Sequence, residues 1–235
     1  MNIFRKILNT LWEFPCPLCD CDNQASHDIN TFCSDCLQKL PMLGSNRCPG
    51  CGGELDGALA QCRQCLSMPP RPWSKAVSIF KMEELGKLAI YQLKFSGNTA
   101  MARAIAELAY PLLNNPEFLQ CDMIVPVPLY WTRRLQRGYN QSEVLAKMLS
   151  RYLHIPVKTP LKRVRATIRQ ATLNREERLK NLKNAFKVPN ADKVTGKTIL
   201  LVDDVLTTGS TLHACAEALR KAGAKDIKVF TAARR

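Results

Sequence analysis

Residues 200–211, LLVDDVLTTGST, set two adjacent carboxylates at the end of an apolar run and follow them with hydroxyl residues around a glycine. Apolar continuity over TILLV is what a strand buried on both sheet faces requires. The run TLHACAEALRKAG has helical spacing and ends at Gly223, a C-terminal stop. The segment between is therefore expected as a strand ending at Asp203–Asp204, a loop over 207–211 and a helix starting near Thr211. Unpaired N–H groups and the positive dipole end of such a helix suit a phosphate. Thr207, Thr208, Ser210 and Thr211 add hydroxyl donors, and Gly209 permits close backbone approach. Two carboxylates would repel that phosphate, so they must face another part of the same ligand. Vicinal ribose hydroxyls with Mg2+ nearby are a natural target. The plainer alternative is an N-capped helix after a buried strand, with both acids solvated.

A second constellation lies near the N-terminus. Eight of the eleven cysteines form four CxxC pairs: Cys16/Cys19, Cys33/Cys36, Cys48/Cys51 and Cys62/Cys65. Each CxxC turn can present two thiolates to one tetrahedral metal, and two turns complete a four-cysteine zinc site. Sequential pairing gives two zinc ribbons. Cross-bracing, 16/19 with 48/51 and 33/36 with 62/65, stays open at this level. A disulfide framework needs an oxidising compartment, and no export signal is recognisable, so zinc and a cytoplasmic setting are expected. Cys21 falls between pairs as a spare ligand, and Cys121 and Cys215 read as small buried hydrophobes.

These residues need a scaffold. AVSIF (76–80), CDMIVPVP, TILLVDD and DIKVFTAARR read as strands, while 99–113 and QSEVLAKMLSRYL carry helical spacing, the latter with Asn140 and Glu143 as a cap pair. Such alternation predicts an α/β fold with a doubly wound parallel sheet and ligands at the strand C-terminal ends. Pro69, Pro70 and Pro72 mark a boundary. The expected division is 1–68, an N-terminal amphipathic helix and Cys-rich zinc-ribbon module, and 76–235, the α/β domain. GKT at 196–198 imitates the end of a Walker A loop, but Ala191 stands where that loop needs Gly and a strand follows, so it is a turn.

The formal charge is +14, and residues 130–187 alone carry fifteen basic against three acidic side chains. A field of that sign favours phosphate-bearing partners, with a solvated basic surface as the plain alternative. The apolar runs are too short and Pro-broken to span a bilayer.

The strand, the two acids and the TTGST loop resemble the type I phosphoribosyltransferase signature. With CDMIVPVPLYWTRRLQRGYNQSEVLA, RVRATIRQATLNREERLKNLKNAF and the CxxC array, the chain resembles the ComF family, also called GntX-like, in which zinc ribbons precede a phosphoribosyltransferase domain. That resemblance implies that Asp203 and Asp204 bind the ribose hydroxyls of phosphoribosyl pyrophosphate and that Thr207, Thr208, Gly209, Ser210 and Thr211 hold its 5′-phosphate. It implies a pyrophosphate loop over Val125 to Leu129, including Val127 and Pro128. It implies a mobile catalytic loop with Arg165, Arg169, Gln170, Arg175 and Arg178. It further implies a role in natural transformation, with incoming single-stranded DNA and other competence proteins such as a helicase as partners. Arg133, Arg134 and Arg137, beside Tyr130, Trp131 and Tyr139, suit a backbone-tracking groove with stacking platforms. The alternative is an enzyme transferring phosphoribose to a nitrogen acceptor with release of pyrophosphate. No constellation names that acceptor. Any hood over it must come from the zinc module or residues 81–98.

Overall fold

In the computed structural model, the structure describes residues 15–21, 32–55, 57, 59–95, 99–165, 182 and 184–235. Four strands build one parallel sheet in the order β1-β6-β5-β2: β1 (Lys75–Lys81), β2 (Met123–Pro126), β5 (Thr198–Leu206) and β6 (Asp226–Arg234). Val157 bridges Ile124 in parallel on the outer side of β2. The chain therefore turns outward after β2 but toward β6 after β5. The divergence leaves a crevice between the C-terminal ends of β2 and β5, the position at which open α/β sheets bind ligands.

Helices cover both faces. On one face pack α3 (Glu84–Phe95), α4 (Thr99–Leu113) and α7 (Gln141–Leu153), whose Ile90, Leu93, Ile105, Leu145 and Leu149 meet Leu200, Val202 and Phe230. On the other lies α8 (Ser210–Lys221), with Leu212, Cys215 and Leu219 against Leu201 and Val229. Beside α8 sits a small hairpin of β3 (Lys162–Arg163) and β4 (Phe186–Lys187). Short helices α5 (Pro116–Leu119) and α6 (Trp131–Arg137) flank β2. Burial of both sheet faces explains why the first half of β5, TILLV, reads as a continuous apolar run.

The cysteine-rich segment carries two short helices, α1 (Ser34–Lys39) and α2 (Arg63–Leu66). It covers the otherwise open edge of β1: Leu43 N–H donates to Ile79 O, Lys81 N–H to Pro41 O and Ala76 N–H to Pro49 O. Arg47 adds a guanidinium bond to Ser78 O at 2.6 Å. An exposed strand edge is a site for unwanted pairing, and this segment closes it. Its buried residues join both core layers. Cys16, Cys33 and Cys36 pack with the α3/α4/α7 side, and Cys48, Cys51 and Cys65 with the α8 side.

Two local expectations need correction. Strand β5 runs past the two acids through Val205 and Leu206, because these pair in register with Ala233 and Arg234, and the helix begins at Ser210, so the loop is only 207–209. Asn140 does cap α7 through Ser142 N–H, but Glu143 does not return the bond. Its carboxylate is 3.1 Å from Lys147 Nζ and 3.6 Å from Arg134 Nη2. The 1–14 helix falls outside the described residues. Among the described residues no helix is long and apolar enough to cross a membrane.

Candidate functional site

Because strand side chains alternate, the adjacent acids point to opposite faces of β5. Asp203 is on the α8 side and lines a pocket with Thr207, Thr208, Gly209, Ser210 and Thr211. Asp204 is on the α3 side. Both are more than nine-tenths buried. Asp203 Oδ1 accepts from Ser142 Oγ at 2.8 Å and from Asp204 N–H at 2.9 Å. Burial, and then the charge of Asp204, push the Asp203 carboxyl well above the usual carboxylate range. Burial pushes Asp204 upward most strongly, but the Lys94 ammonium 2.9 Å from its Oδ2, together with hydrogen bonds from Asp203 and Gln141, holds it below its ordinary value. The pair is thus pushed apart in acidity, Asp203 toward its protonated form and Asp204 toward the ionised, ion-paired form.

The loop after β5 ends at Gly209, which precedes the first turn of α8 in the left-handed region, φ +79°. Thr208 and Ser210 hydroxyls bond each other at 2.9 Å, and Ser210 N–H reaches Thr208 Oγ1 at 3.4 Å. A Cβ on Gly209 would stand 2.6 Å from Arg71 Nη1. Gly209→Ala combines that collision with a strained backbone and is expected to cost about 1–2 kcal/mol. Its melting midpoint should fall by about 2–4 °C per kcal/mol, and an unaltered midpoint would contradict this loop geometry.

On the other wall, Val127 is buried, its N–H donating to Val202 O and its carbonyl accepting from Asn140 Nδ2 at 3.0 Å. Pro128 follows at the mouth of the crevice, half-buried. Beyond it, α6 carries Arg133, Arg134 and Arg137 on adjacent positions. Arg137 lies 5.0 Å over the Phe95 ring, and Phe95 packs 4.8 Å from Tyr91. Trp131 is exposed and 5.9 Å from Tyr130, while Tyr139 donates to Leu93 O. The rim of the crevice is therefore aromatic as well as basic. Arg165 is exposed just past β3, while Arg169, Gln170, Arg175 and Arg178 lie outside the described residues.

Sequence reasoning overlooked Lys94, Ser142, Tyr91 and Phe95. The signal for three of them was helical spacing of Leu85, Ala89 and Leu93 in ELGKLAIYQLKF, which makes Glu84–Phe95 a helix. Ser142 carries no signal of its own beyond its place in the first turn of α7.

The cysteines group sequentially, Cys16/Cys19/Cys33/Cys36 and Cys48/Cys51/Cys62/Cys65, with the four sulfurs of each set within 4.8 Å of one another. The cross-braced alternative is thereby excluded. Cys19 and Cys33 sulfurs are 3.7 Å apart and Cys51 and Cys62 sulfurs 3.6 Å. Tetrahedral zinc with bonds of about 2.3 Å would separate its sulfurs by about 3.8 Å. Backbone amides of Cys33, Cys36 and Cys62 point at sulfur, as thiolates require. All eight are unbridged, so both donor sets fit a thiophilic metal. Cys21 Sγ is exposed, 3.2 Å from Cys19 Sγ. Cys121 and Cys215 are buried, and burial pushes the Cys121 thiol up to about 12, consistent with inert packing residues.

The Phosphoribosyl transferase domain family matches residues 95–235. Competence protein F of Haemophilus influenzae is 36% identical over 211 residues, covering 87% of this chain and 91% of that protein. The chain belongs to the ComF family. Other ComF relatives include DNA utilization protein YhgH of Escherichia coli strain K12, 36% identical over 85% of this chain and 88% of its own. Competence protein ComFC of Bacillus subtilis is 28% identical over 90% and 92%. At these shares each alignment extends beyond the α/β sheet region into the N-terminal part of the chain.

Proposed function

We propose that this ComF protein binds phosphoribosyl pyrophosphate with Mg2+ in the crevice between β2 and β5 and handles single-stranded DNA along its aromatic, basic rim in the cytoplasm. The observation carrying the ligand reading is the placement of two buried carboxyls near the C-terminal end of β5, two residues before a three-residue loop at a helix N-terminus. A phosphate on the loop amides and a sugar diol at the carboxyls satisfy charge and hydrogen bonding together. Asp204 would exchange its Lys94 partner for ligand hydroxyls, and Asp203, which already accepts from Ser142 and Asp204 N–H, would become a stronger, charge-assisted acceptor on yielding its proton. Mg2+ would neutralise the pyrophosphate at the mouth formed by residues 128–130. The eight clustered cysteines would hold two structural zinc ions.

Support for the DNA reading comes from the rim. Tyr91, Phe95 and Trp131 each expose about 60% of their surface, and arginines intervene. Aromatic faces accept any base, while arginines follow the phosphates. The Escherichia coli relative's name, DNA utilization protein, agrees with a nucleic-acid role, and a competence helicase fits as a protein partner. Replacing Trp131 and Phe95 with Ala is expected to weaken single-strand binding by about 1–3 kcal/mol per lost stack at constant salt dependence. Replacing Arg133, Arg134 and Arg137 with Ala should instead flatten the slope of log affinity against log salt by about 2. Fluorescence anisotropy over a salt series separates the two effects. Binding indifferent to both sets of changes would sink this reading.

A second reading, phosphoribosyl transfer, is favoured by one cavity. A space of ≈340 Å³ lies between the second cysteine cluster and the ends of β1 and β6, lined by Leu43, Leu59, Lys81 and Arg235 and sharing Arg234 with the loop region. It is of a size to take a small acceptor. Pyrophosphate release on adding candidate bases to the protein with phosphoribosyl pyrophosphate and Mg2+ tests it.

A further inference from the structure

We infer that Arg71 and Arg234 are positioning residues that fasten the phosphate loop to the second cysteine cluster, so that metal occupancy there and affinity at the loop are coupled. The inference rests on the phosphate reading of residues 207–211. Arg234, at the end of β6 and 8% exposed, donates from Nη1 to Thr207 O at 3.1 Å and to Leu206 O at 3.4 Å. Its other terminal nitrogen bonds the side chain of Gln64, which stands between the ligand positions Cys62 and Cys65. Arg71 donates from Nη1 to Thr208 O at 3.2 Å. It is held in turn by Met68 Sδ at 2.9 Å and lies 5.2 Å over the Trp73 ring. Trp73 Nε1–H donates to Gly50 O at 3.0 Å, and Gly50 stands between Cys48 and Cys51. Met68 N–H also returns to Cys65 O.

Three consecutive carbonyls, that of Leu206 at the end of β5 and those of Thr207 and Thr208 in the loop, are therefore gripped by two guanidinium groups. In a trans peptide the N–H points opposite to the C=O. Holding these carbonyls back turns the N–H groups of Thr207, Thr208 and Gly209 away from the arginines, preorganised for an anion. Both struts trace to residues inside or just after the CxxC turns of the second cluster. The first cluster has a different neighbour: Leu18 O accepts from Gln92 of α3. Coupling between two sites is reciprocal, so a ligand on the loop should also slow metal loss from the second cluster.

The test uses the full zinc-loaded chain with Arg71→Met and Gln64→Leu. Neither changes a cysteine, and Met keeps an apolar stem over Trp73. Amide hydrogen exchange at residues 207–210 should accelerate about tenfold in each variant at unchanged zinc content, the effect of losing one charge-assisted hydrogen bond. Affinity for Mg2+–phosphoribosyl pyrophosphate should fall by a similar factor. Unchanged exchange in both variants at full zinc content would overturn the inference. Should the unaltered protein fail to bind phosphoribosyl pyrophosphate, the ligand reading falls, and the exchange measurement still decides whether these arginines order the loop.

Discussion

Changing Asp203 and Asp204 together to Asn is expected to abolish measurable binding of phosphoribosyl pyrophosphate, a loss of about a hundredfold or more by titration calorimetry. Each carboxylate offers charge-assisted hydrogen bonds to a sugar hydroxyl, worth about 1.5–3 kcal/mol apiece, and tenfold in affinity corresponds to about 1.4 kcal/mol. The variant should still fold. Burial and its neighbour push the Asp203 carboxyl toward its neutral form, and a neutral amide of nearly the same shape can still accept from Ser142 Oγ and Asp204 N–H. At 204 the substitution releases Lys94, whose side chain is 27% exposed and can turn to water. The same environment fixes a pH dependence. The ionised carboxylate accepts from a sugar hydroxyl more strongly than the protonated form does, and only the ionised form is drawn to Mg2+. Binding should therefore release a proton, and affinity should rise with pH until Asp203 is ionised in the free protein. Calorimetry in buffers of different ionisation heat measures that proton directly. Full affinity in the double variant would remove these acids from the site.

The contrast between what the sequence announces and what it conceals follows from where the information lies. Asp203, the Thr/Gly/Ser loop and helix α8 are contiguous, so local chemistry and period-2 and period-3.6 patterns place them within a few residues. The end of β5 was displaced by two residues, because register with Ala233 and Arg234 of β6 is a tertiary matter that no local pattern encodes. Cysteine spacing predicts four-sulfur sites but not their pairing. That is decided by where the sheet holds Cys16 and Cys48, on opposite faces. Lys94 and Ser142 are separated from Asp204 and Asp203 by 110 and 61 residues, and only the packing of α3 and α7 brings them in. Arg71 is the sharpest case. It sits in the Pro-rich stretch that composition marks as a boundary, yet 137 residues on it meets Thr208. A segment that looks like a linker by composition is, by its contacts, part of the site's support.

Removing the metal should have the largest effect on the fold. The pure protein is expected to carry about two zinc ions per chain, and stripping them with a strong chelator should abolish cooperative unfolding of the whole molecule. Structural zinc in small modules contributes about 10–16 kcal/mol of apparent binding free energy at neutral pH, comparable with the roughly 5–15 kcal/mol that stabilises an ordinary domain. A module tethered beside an independent sheet would melt alone and leave the sheet's transition in place. Here the contacts argue otherwise: the first cluster is continuous with the core under α3 and α4, the second with the core under α8, and the segment between them pairs with β1. Without metal, four mutually close thiolates repel one another or take up protons inside both layers. Calorimetry of stripped protein should therefore show the principal transition lowered or lost. Cys62→Ser should reproduce that loss on the α8 side, and Cys33→Ser on the other. A stripped chain that keeps an undiminished principal transition would mean that the cysteine clusters are attached to the fold rather than built into it.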